Sequence, residues 1–320
     1  MAYQNVGTPR FYVNVLEWLA SNGAFELPSN QYRTLPVNPT LYETSGVQID
    51  WGIGSVFSNN CFIAVLGHNC KTVDANMATY VTGYTTGSLP YTNDIQVNVG
   101  TGNYSIPDYD GFSIASLGAT DFTWMIIDAA GASIGSMVLG TYYDMPHSPD
   151  LNLTMTREFG GIKHIETKGG ASLSNSFYSR TPLWGSEPAW ELYASAGAPP
   201  PFAYHQAKSG RRIWDLSFSY LQDSDVFPEI SHINFYESYD NGTGYNGGTA
   251  SGKTLLDSTN FYSQVIHKTN GGQLPFIFQP DKNNNNPDQF AICKFDMNSF
   301  KFEQVANGVY NVKLKIREVW

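Results

Sequence analysis

The sequence predicts an all-β protein, and three observations carry that prediction. Short runs rich in β-branched and aromatic residues recur along the chain, with glycine and proline between them. Two segments, 214–220 and 310–316, alternate between apolar and polar residues, which is the period of a strand with one buried face. Helical patterns of about 10 to 15 residues do not separate the runs, which favours antiparallel sandwich or jelly-roll packing over a βαβ sheet.

The N-terminal residues 1–44 are predicted to form an extension. The run from Phe11 to Leu19 is apolar and aromatic, and it indicates extended chain followed by a short helix that ends at Asn22 and Gly23. The residues before Thr40 have few obvious core partners, so we expect this extension to become ordered against a neighbouring subunit. Its aromatic residues are then candidate interface residues, namely Phe11, Tyr12 and Trp18.

Residues 45–145 are predicted to form a jelly-roll domain. Turn residues such as Gly100, Pro107 and Gly131 punctuate this stretch. The apolar runs between them predict strands of an antiparallel sandwich. These runs cover 61–66, 78–84, 95–99, 122–128 and 134–142.

Residues 146–320 are predicted to form a second β-sandwich domain. The segment 143–150 contains two prolines and lacks apolar periodicity, so it indicates the joint between the two domains. The two alternating strands noted above belong to this second domain. The polar stretches 240–252 and 282–286 are rich in glycine and asparagine, respectively, and both are predicted to be long protruding loops.

Composition limits the classes of partner. Charged residues make up 14% of the chain, against about 25% in ordinary soluble domains, so we expect much of the neutral, Ser-, Thr-, Asn- and Tyr-rich surface to contact other subunits. The net charge of −10 argues against nucleic acid as a ligand. No apolar run reaches the roughly 18 residues of a membrane span, and no secretory signal is evident. We therefore expect synthesis in the cytoplasm.

Neither a metal nor a cofactor is expected. The three cysteines, Cys61, Cys70 and Cys293, show no CxxC spacing. The favoured interpretation is that each cysteine is a small buried apolar residue. The six histidines show no HxxxH or HExxH spacing.

Two patterns suggest catalysis, and each has a structural alternative. Residues 247–254 match GxxxxGKT, the phosphate-binding loop of nucleotide hydrolases, but a polar stretch precedes them where that loop requires a buried strand. The pairs Asp108 with Asp110 and Asp223 with Asp225 suggest glycoside hydrolysis, yet aspartates at strand ends commonly support turns. We predict that the chain is not an enzyme.

A second group of aromatic residues flanks three consecutive prolines, 199–201, which favour a rigid extended loop. Aromatic rings on rigid loops are good interface anchors, and a place in the second core is the equally weighted alternative. These candidate interface residues are Trp184, Trp190, Tyr193, Phe202 and Tyr204.

Several segments carry a family resemblance. The run Cys61-Phe62-Ile63-Ala64-Val65-Leu66-Gly67-His68-Asn69 resembles a strand and turn of the galactose-binding-like jelly rolls found in phage virion and tail proteins. Residues 122–128 followed by 134–140 resemble the paired final strands of the same module. In the second half, 210–220 and 309–320 are similar to strands of phage tail and baseplate proteins.

This resemblance implies a structural component of a tailed-bacteriophage virion, in the tail or baseplate, made in the host cytoplasm. Its expected partners are copies of itself and neighbouring virion proteins. Two alternatives stay open: a receptor-binding module for host-surface glycan and, ranked last, a glycan-cleaving enzyme.

Overall fold

The computed structural model describes the backbone of somewhat more than half of the chain. The described residues are 5–23, 26–27, 32–34, 42–43, 47–50, 60–66, 78–84, 91–98, 112–118, 124–129, 133–134, 136–158, 162–176, 183–184, 187–188, 210–228, 259–285 and 289–319.

Strands dominate these residues. In chain order they are β1 (Arg10–Asn14), β2 (Tyr42–Glu43), β3 (Val47–Asp50), β4 (Cys61–Leu66), β5 (Ala78–Tyr84), β6 (Tyr91–Asn98), β7 (Phe112–Gly118), β8 (Trp124–Ala129), β9 (Ser133–Ile134), β10 (Ser136–Asp144), β11 (Thr154–Glu158), β12 (Ile162–Glu166), β13 (Ser172–Ser176), β14 (Leu183–Trp184), β15 (Glu187–Pro188), β16 (Arg211–Gln222), β17 (Phe276–Gln279), β18 (Ala291–Phe295), β19 (Phe302–Ala306) and β20 (Val309–Glu318). The helices are α1 (Val15–Ser21), the one-turn α2 (Asp223–Val226), a π-helical turn (Tyr262–Ile266) and a 3₁₀ turn (His267–Thr269).

One ten-stranded sheet organises the described chain. Its order is β11-β16-β20-β18-β17-β1-β10-β4-β7, and β19 pairs with β20 beside this path. Four strands form a second sheet in the order β3-β8-β5-β6, and the pairs β12-β13, β14-β15 and β2-β9 stand apart. The pairings are antiparallel, as in β1 with β10 and in β16 with β20. This architecture confirms the all-β prediction.

The N-terminal strand β1 lies inside the large sheet. It pairs with β10 on one side, Tyr12 opposite Tyr142, and with β17 on the other, Phe11 opposite Phe278. Residues 10–14 are therefore not a free arm, which corrects the predicted N-terminal extension for this stretch, because the missing core partners come from distant parts of the chain. The sheet runs without a break across both predicted domain boundaries, 44/45 and 145/146.

Alternation along β1 divides the core between the two faces of the sheet. Phe11 and Val13 join a cluster that contains Trp214, Phe218 and many residues of the C-terminal strands. Tyr12 faces the other way and joins a smaller cluster with Phe62 and its neighbours on β4. A strand that is buried on both faces is apolar throughout rather than alternating, which is why its sequence does not show period two.

The predicted change from extended chain to a short helix is confirmed. The Asn14 side chain caps α1 by accepting a hydrogen bond from the Glu17 amide at 3.2 Å, and it donates to the Tyr32 carbonyl at 2.9 Å. The helix ends at Ser21, followed by Asn22 as the C-cap and Gly23 at φ +75°. In the described part of the chain, no helix is long and apolar enough to cross a membrane.

Candidate assembly surface

Three of the aromatic residues predicted to form an interface are core residues. Phe11 is fully buried, and its ring lies 5.3 to 5.7 Å from the rings of Phe278, Phe276 and Phe261. Tyr12 donates a hydrogen bond to Gln279 Oε1 at 3.1 Å, and burial raises its pKa to about 12. Both rings pack within the chain, so the predicted role of Phe11 and Tyr12 at an interface with a neighbouring subunit is corrected.

Trp18 is also turned inward. It is buried in α1, and its ring meets His267 edge-on at 5.3 Å, so its predicted interface role is corrected in the same way. The backbone of Trp184 lies in β14, but its side chain is outside the described residues. Trp190, Tyr193, Phe202 and Tyr204 lie outside them as well, so their interface role stays a prediction.

Two described aspartates support the backbone: Asp225, from one of the pairs that had suggested catalysis, and Asp281. Asp225 accepts a hydrogen bond from the Gln222 amide at 2.9 Å and completes a capping box at the start of α2. Asp281 accepts from the Asn283 amide at 3.0 Å, which makes a local turn. The GxxxxGKT segment 247–254 and the pair Asp108 and Asp110 lie outside the described residues.

No group of three or more histidine, cysteine, aspartate or glutamate side chains that would hold a metal occurs among the described residues. Cys61 and Cys293 are buried free thiols, as predicted, and burial raises the pKa of Cys293 well above its ordinary value. Cys70 lies outside the described residues.

Strand β11 forms one end of the ten-stranded sheet. Among the described strands it pairs only with β16, Met155 opposite Trp214 and Glu158 opposite Arg211. The side chains of Thr154 and Thr156 are exposed, whereas Met155 is partly buried against the core. The strand contains neither proline nor lysine, but it carries Arg157 and Glu158, and charged side chains are among the features that protect a sheet edge against pairing with another chain.

The hairpin of β12 and β13 follows β11 and forms its own two-stranded sheet. Ile165 lies opposite Leu173, so both side chains point to the same face. They are 61% and 60% exposed, and every residue from His164 to Leu173 is exposed. An isolated two-stranded hairpin is marginally stable in water, and neither Ile165 nor Leu173 belongs to the described core clusters.

We call residues 151–158 and 162–176 the edge segment. It holds three of the five most exposed large apolar side chains of the described residues, with Leu151 completely exposed besides Ile165 and Leu173. It carries three basic and two acidic residues, a formal charge of +1, so the other 297 residues together carry −11. Apolar side chains that form a contiguous exposed patch mark an interaction surface more often than scattered ones do, and Ile165 and Leu173 are such neighbours on the hairpin.

A buried ion pair anchors the strands behind β11. Arg212 on β16 donates from Nη2 to Glu318 Oε1 on β20 at 3.0 Å and to the Phe290 carbonyl at 2.6 Å. The Arg212 amide donates to Glu318 Oε2 at 2.9 Å. Both side chains are about 95% buried. Such a pair fixes register because separating its members leaves an uncompensated charge in the interior.

A shallow cleft of about 350 Å³ lies on the outer face of β16 and β20. Asp215 and Ser217 on β16 and Lys313 and Lys315 on β20 line it, together with Asp150, Asn152 and Met297 from the flanking loops. Asp150 is held in place because its amide donates to the Ser217 carbonyl and its carboxylate accepts from Ser219, each at 2.8 Å. Lys315 pairs with Asp296 at 3.1 Å. The polar part of the lining carries both signs of charge, and Leu216, Leu314 and Met297 supply an apolar part.

Sequence reasoning did not single out the edge segment. Its most informative signal is the sequence Thr154-Met155-Thr156-Arg157-Glu158, a β-prone stretch that has polar or charged residues around a single Met. A stretch with one apolar face and few large side chains is typical of an edge strand.

Comparison with known proteins adds no family: no protein-family model, no curated protein and no solved structure has a significant match to this chain.

Proposed function

We propose that the chain is a structural component of a bacteriophage virion, placed in the tail or baseplate, made in the host cytoplasm and acting through contacts between subunits. The observation that carries the proposal is the edge segment, where the side chains of Leu151, Ile165 and Leu173 are exposed next to the strand that ends the described part of the sheet. Only 14% of the residues are charged. This supports the same proposal, because a surface with few charged residues opposes association less.

The resemblance of the strands at 61–69 and 210–220 to phage jelly-roll and tail proteins gives the assembly its proposed identity. Within this proposal the chain forms two jelly-roll or sandwich units, which share the continuous ten-stranded sheet. The rigid core around β1 supplies shape, and neighbouring virion proteins and further copies of the chain are the partners.

Particles of a phage that encodes this chain provide the test. Quantitative mass spectrometry of purified particles is expected to find the chain at a fixed copy number, and its fold is expected to account for density in the tail or baseplate. Purified, infectious particles that lack the chain would contradict the proposal.

Glycan binding by the virion is the second candidate function, and the polar side chains that line the cleft favour it. Carboxylate and amide groups of Asp150, Asn152 and Asp215 can hydrogen-bond sugar hydroxyl groups. A glycan array with the full chain tests this candidate, with Asp215→Ala as the variant expected to lose binding and Gln304→Ala, on β19, as the control. Equal binding by Asp215→Ala and the unmodified chain would place any glycan elsewhere.

We propose no catalytic role. A carboxylate oxygen of Asp225 accepts the hydrogen bond that caps α2. The pair of Asp223 and Asp225 is therefore poorly suited to act as a general acid and base.

A further inference from the structure

A bulge in β16 exposes the side chain of Tyr220 beside the cleft on the outer face of β16 and β20. We propose that this ring and the cleft form one binding site for a neutral glycan, in which the ring stacks on a sugar. The inference rests on the second candidate function, glycan binding, and deepens it by adding the aromatic residue and the charge class of the sugar. It does not depend on a place in the virion.

The bulge reverses the side of the sheet to which Tyr220 belongs. Period two along β16 would bury Tyr220 together with Phe218. Between Phe218 and Leu221 the register with β20 shifts, so that Ser219 and Tyr220 both lie opposite Asn311. Tyr220 is consequently 76% exposed, whereas Phe218 and Leu221 are buried.

The backbone of Tyr220 has a conformation that tyrosine rarely adopts. Its φ of +61° lies in the left-handed region, and the other two described non-glycine residues with positive φ are Asn60 and Asn270, of the residue type that tolerates this region best. The Tyr220 amide donates to Asn311 Oδ1 at 3.2 Å, which holds the bulge. Backbone strain of this kind concentrates at binding sites, and bulges redirect side chains beside such sites.

The same bulge positions a polar group of the cleft. Ser219, the other bulge residue, donates to the Asp150 carboxylate at 2.8 Å, and Asp150 lines the cleft. Asn311 lies two residues before Lys313, which also lines the cleft, so period two places both on the same face of β20. The exposed ring and the cleft are therefore neighbours on one face of the sheet, and the bulge fixes both.

The chemistry of this combined surface matches a sugar. A sugar ring has a face of C–H groups and a rim of hydroxyl groups. The ring of Tyr220 offers a flat apolar surface to the first, while Asp150, Asn152 and Ser217 can hydrogen-bond the second. The cleft volume of about 350 Å³ falls within the range of small-molecule sites. An exposed tyrosine also suits a protein partner, but the adjacent hydrogen-bonding groups favour the sugar.

Charge favours a neutral sugar. Two aspartates, Asp150 and Asp215, and two lysines, Lys313 and Lys315, line the cleft, so its formal charge is zero. The ion pair of Lys315 with Asp296 further reduces the positive charge that is available to an acidic sugar. A chain of net charge −10 also repels anionic ligands at long range.

A glycan array tests the site with the full chain. The array carries neutral oligosaccharides of hexoses and N-acetylhexosamines beside sialylated ones, and we expect binding to neutral members. Tyr220→Gly is expected to weaken this binding about tenfold, because it removes the stacking surface, whereas Tyr220→Phe keeps the ring and is expected to retain it. Leu173→Ala, which removes an exposed apolar side chain outside the cleft, is the matched control and is expected to bind like the unmodified chain.

Thermal melting separates a binding role of Tyr220 from a structural one. Glycine adopts positive φ without steric cost, so Tyr220→Gly is expected to melt above Tyr220→Ala, in which the Cβ atom keeps the strain. We expect Tyr220→Gly to melt close to the unmodified chain. A large fall in its melting temperature would show that the ring stabilises the fold, and this result would overturn its assignment to a ligand.

The outcomes distinguish this inference from the functions on which it touches. Binding to no member of the array overturns the inference together with the glycan candidate, and binding to sialylated members alone overturns the neutral class. Loss of binding in Asp215→Ala but full binding in Tyr220→Gly contradicts the stacking role and leaves glycan binding by the cleft in place. Infectious particles that lack the chain contradict the virion role alone.

Discussion

The strands β1 and β11 have the same length and belong to the same sheet, but they have opposite environments. In β1, residues 11–14 are at most 2% exposed, and the strand has neighbours on both sides. In β11, two threonines are exposed, and β16 is the one described neighbour. Position in the sheet, more than composition, decides how much of each strand is buried.

This contrast reverses the expectation from residue type. Phe11 and Tyr12 are the kind of residue that dominates interfaces, but aromatic residues also dominate cores, and the environment of β1 selects the second role. The threonines of β11 would be unremarkable in a loop. In β11 they lie on the exposed face of the strand that ends the described part of the sheet.

The largest loss of stability is expected from a substitution at Gly140, where β1 pairs with β10. This residue lies opposite Asn14, and a Cβ atom there would overlap the carbonyl oxygen of Val13. Gly140→Ala is therefore expected to force the two strands apart and to cost about 5 kcal/mol of unfolding free energy or to prevent folding. Soluble yield and urea denaturation measure the effect. Gly169→Ala, in the exposed turn of the hairpin where a Cβ meets no close atom, is the control.

The next largest loss of stability is expected from truncation of Phe11, the aromatic residue at the centre of the core. Phe11→Ala removes a fully buried ring with four aromatic neighbours, so we expect a loss of about 3 to 5 kcal/mol of unfolding free energy. Thr156→Ala on β11 is expected to change it by no more than about 0.5 kcal/mol. Urea denaturation with unchanged m-values provides the measurement, and equal losses in both variants would remove the distinction between the strands.

Much of the fold was open to sequence reasoning because period and turn signals are local. Segments 61–66 and 78–84 were predicted with the bounds of β4 and β5, and the alternation at 214–218 matches the burial along β16. The alternation was wrong at Tyr220, which is 76% exposed because a bulge between Phe218 and Leu221 shifts the register. The place of β1 was not predictable in this way. Its neighbours β10 and β17 lie more than a hundred residues away, and pairing over such separations leaves no local signal.

The candidate site was less predictable than the fold. Exposure of Ile165 and Leu173 depends on what the rest of the chain leaves uncovered, and their alternation with polar residues equally fits a half-buried strand. The edge position of β11 depends on the order of strands in the sheet, which the sequence of one strand does not contain. Aspartates at turns were correctly interpreted for Asp225, because a cap is a local interaction.

Disruption of an ion-pair network at the start of β1 is expected to lower the unfolding free energy by an intermediate amount that depends on pH. Arg10 Nη2 donates to Asp144 Oδ2 at 2.9 Å, and Lys282 approaches the same oxygen at 3.3 Å. Burial opposes ionisation of Asp144, but the hydrogen bond and charge of Arg10, together with Lys282, outweigh it and lower the pKa of this carboxyl group.

A carboxyl group whose pKa is lowered by folding contributes stability above its unfolded pKa of about 3.9, and this contribution is lost as the pH falls through the folded pKa. Asp144→Asn is therefore expected to cost about 1.5 kcal/mol at pH 7, moderated by the partial exposure of the pair, and the difference from the unmodified chain should shrink below about pH 4. Urea denaturation at pH 7 and at acid pH measures both values. A difference that is independent of pH would show that the charge of Asp144 is not what matters.

The smallest change in stability is expected from the exposed apolar side chains of the edge segment. Ile165→Ser and Leu173→Ser remove apolar side chains that are about 60% exposed, so each is expected to change the unfolding free energy of the single chain by less than about 0.5 kcal/mol. Val312→Ser, fully buried on β20, is the matched control and is expected to cost several times more, because it leaves a cavity and a buried hydroxyl group. Urea denaturation at low protein concentration isolates the single chain, and the same variants at high concentration are expected to lose whatever stability association supplies. A large loss at low concentration would mean that the hairpin packs against its own chain, and Ile165 and Leu173 would then belong with Phe11 among the residues that hold the fold together.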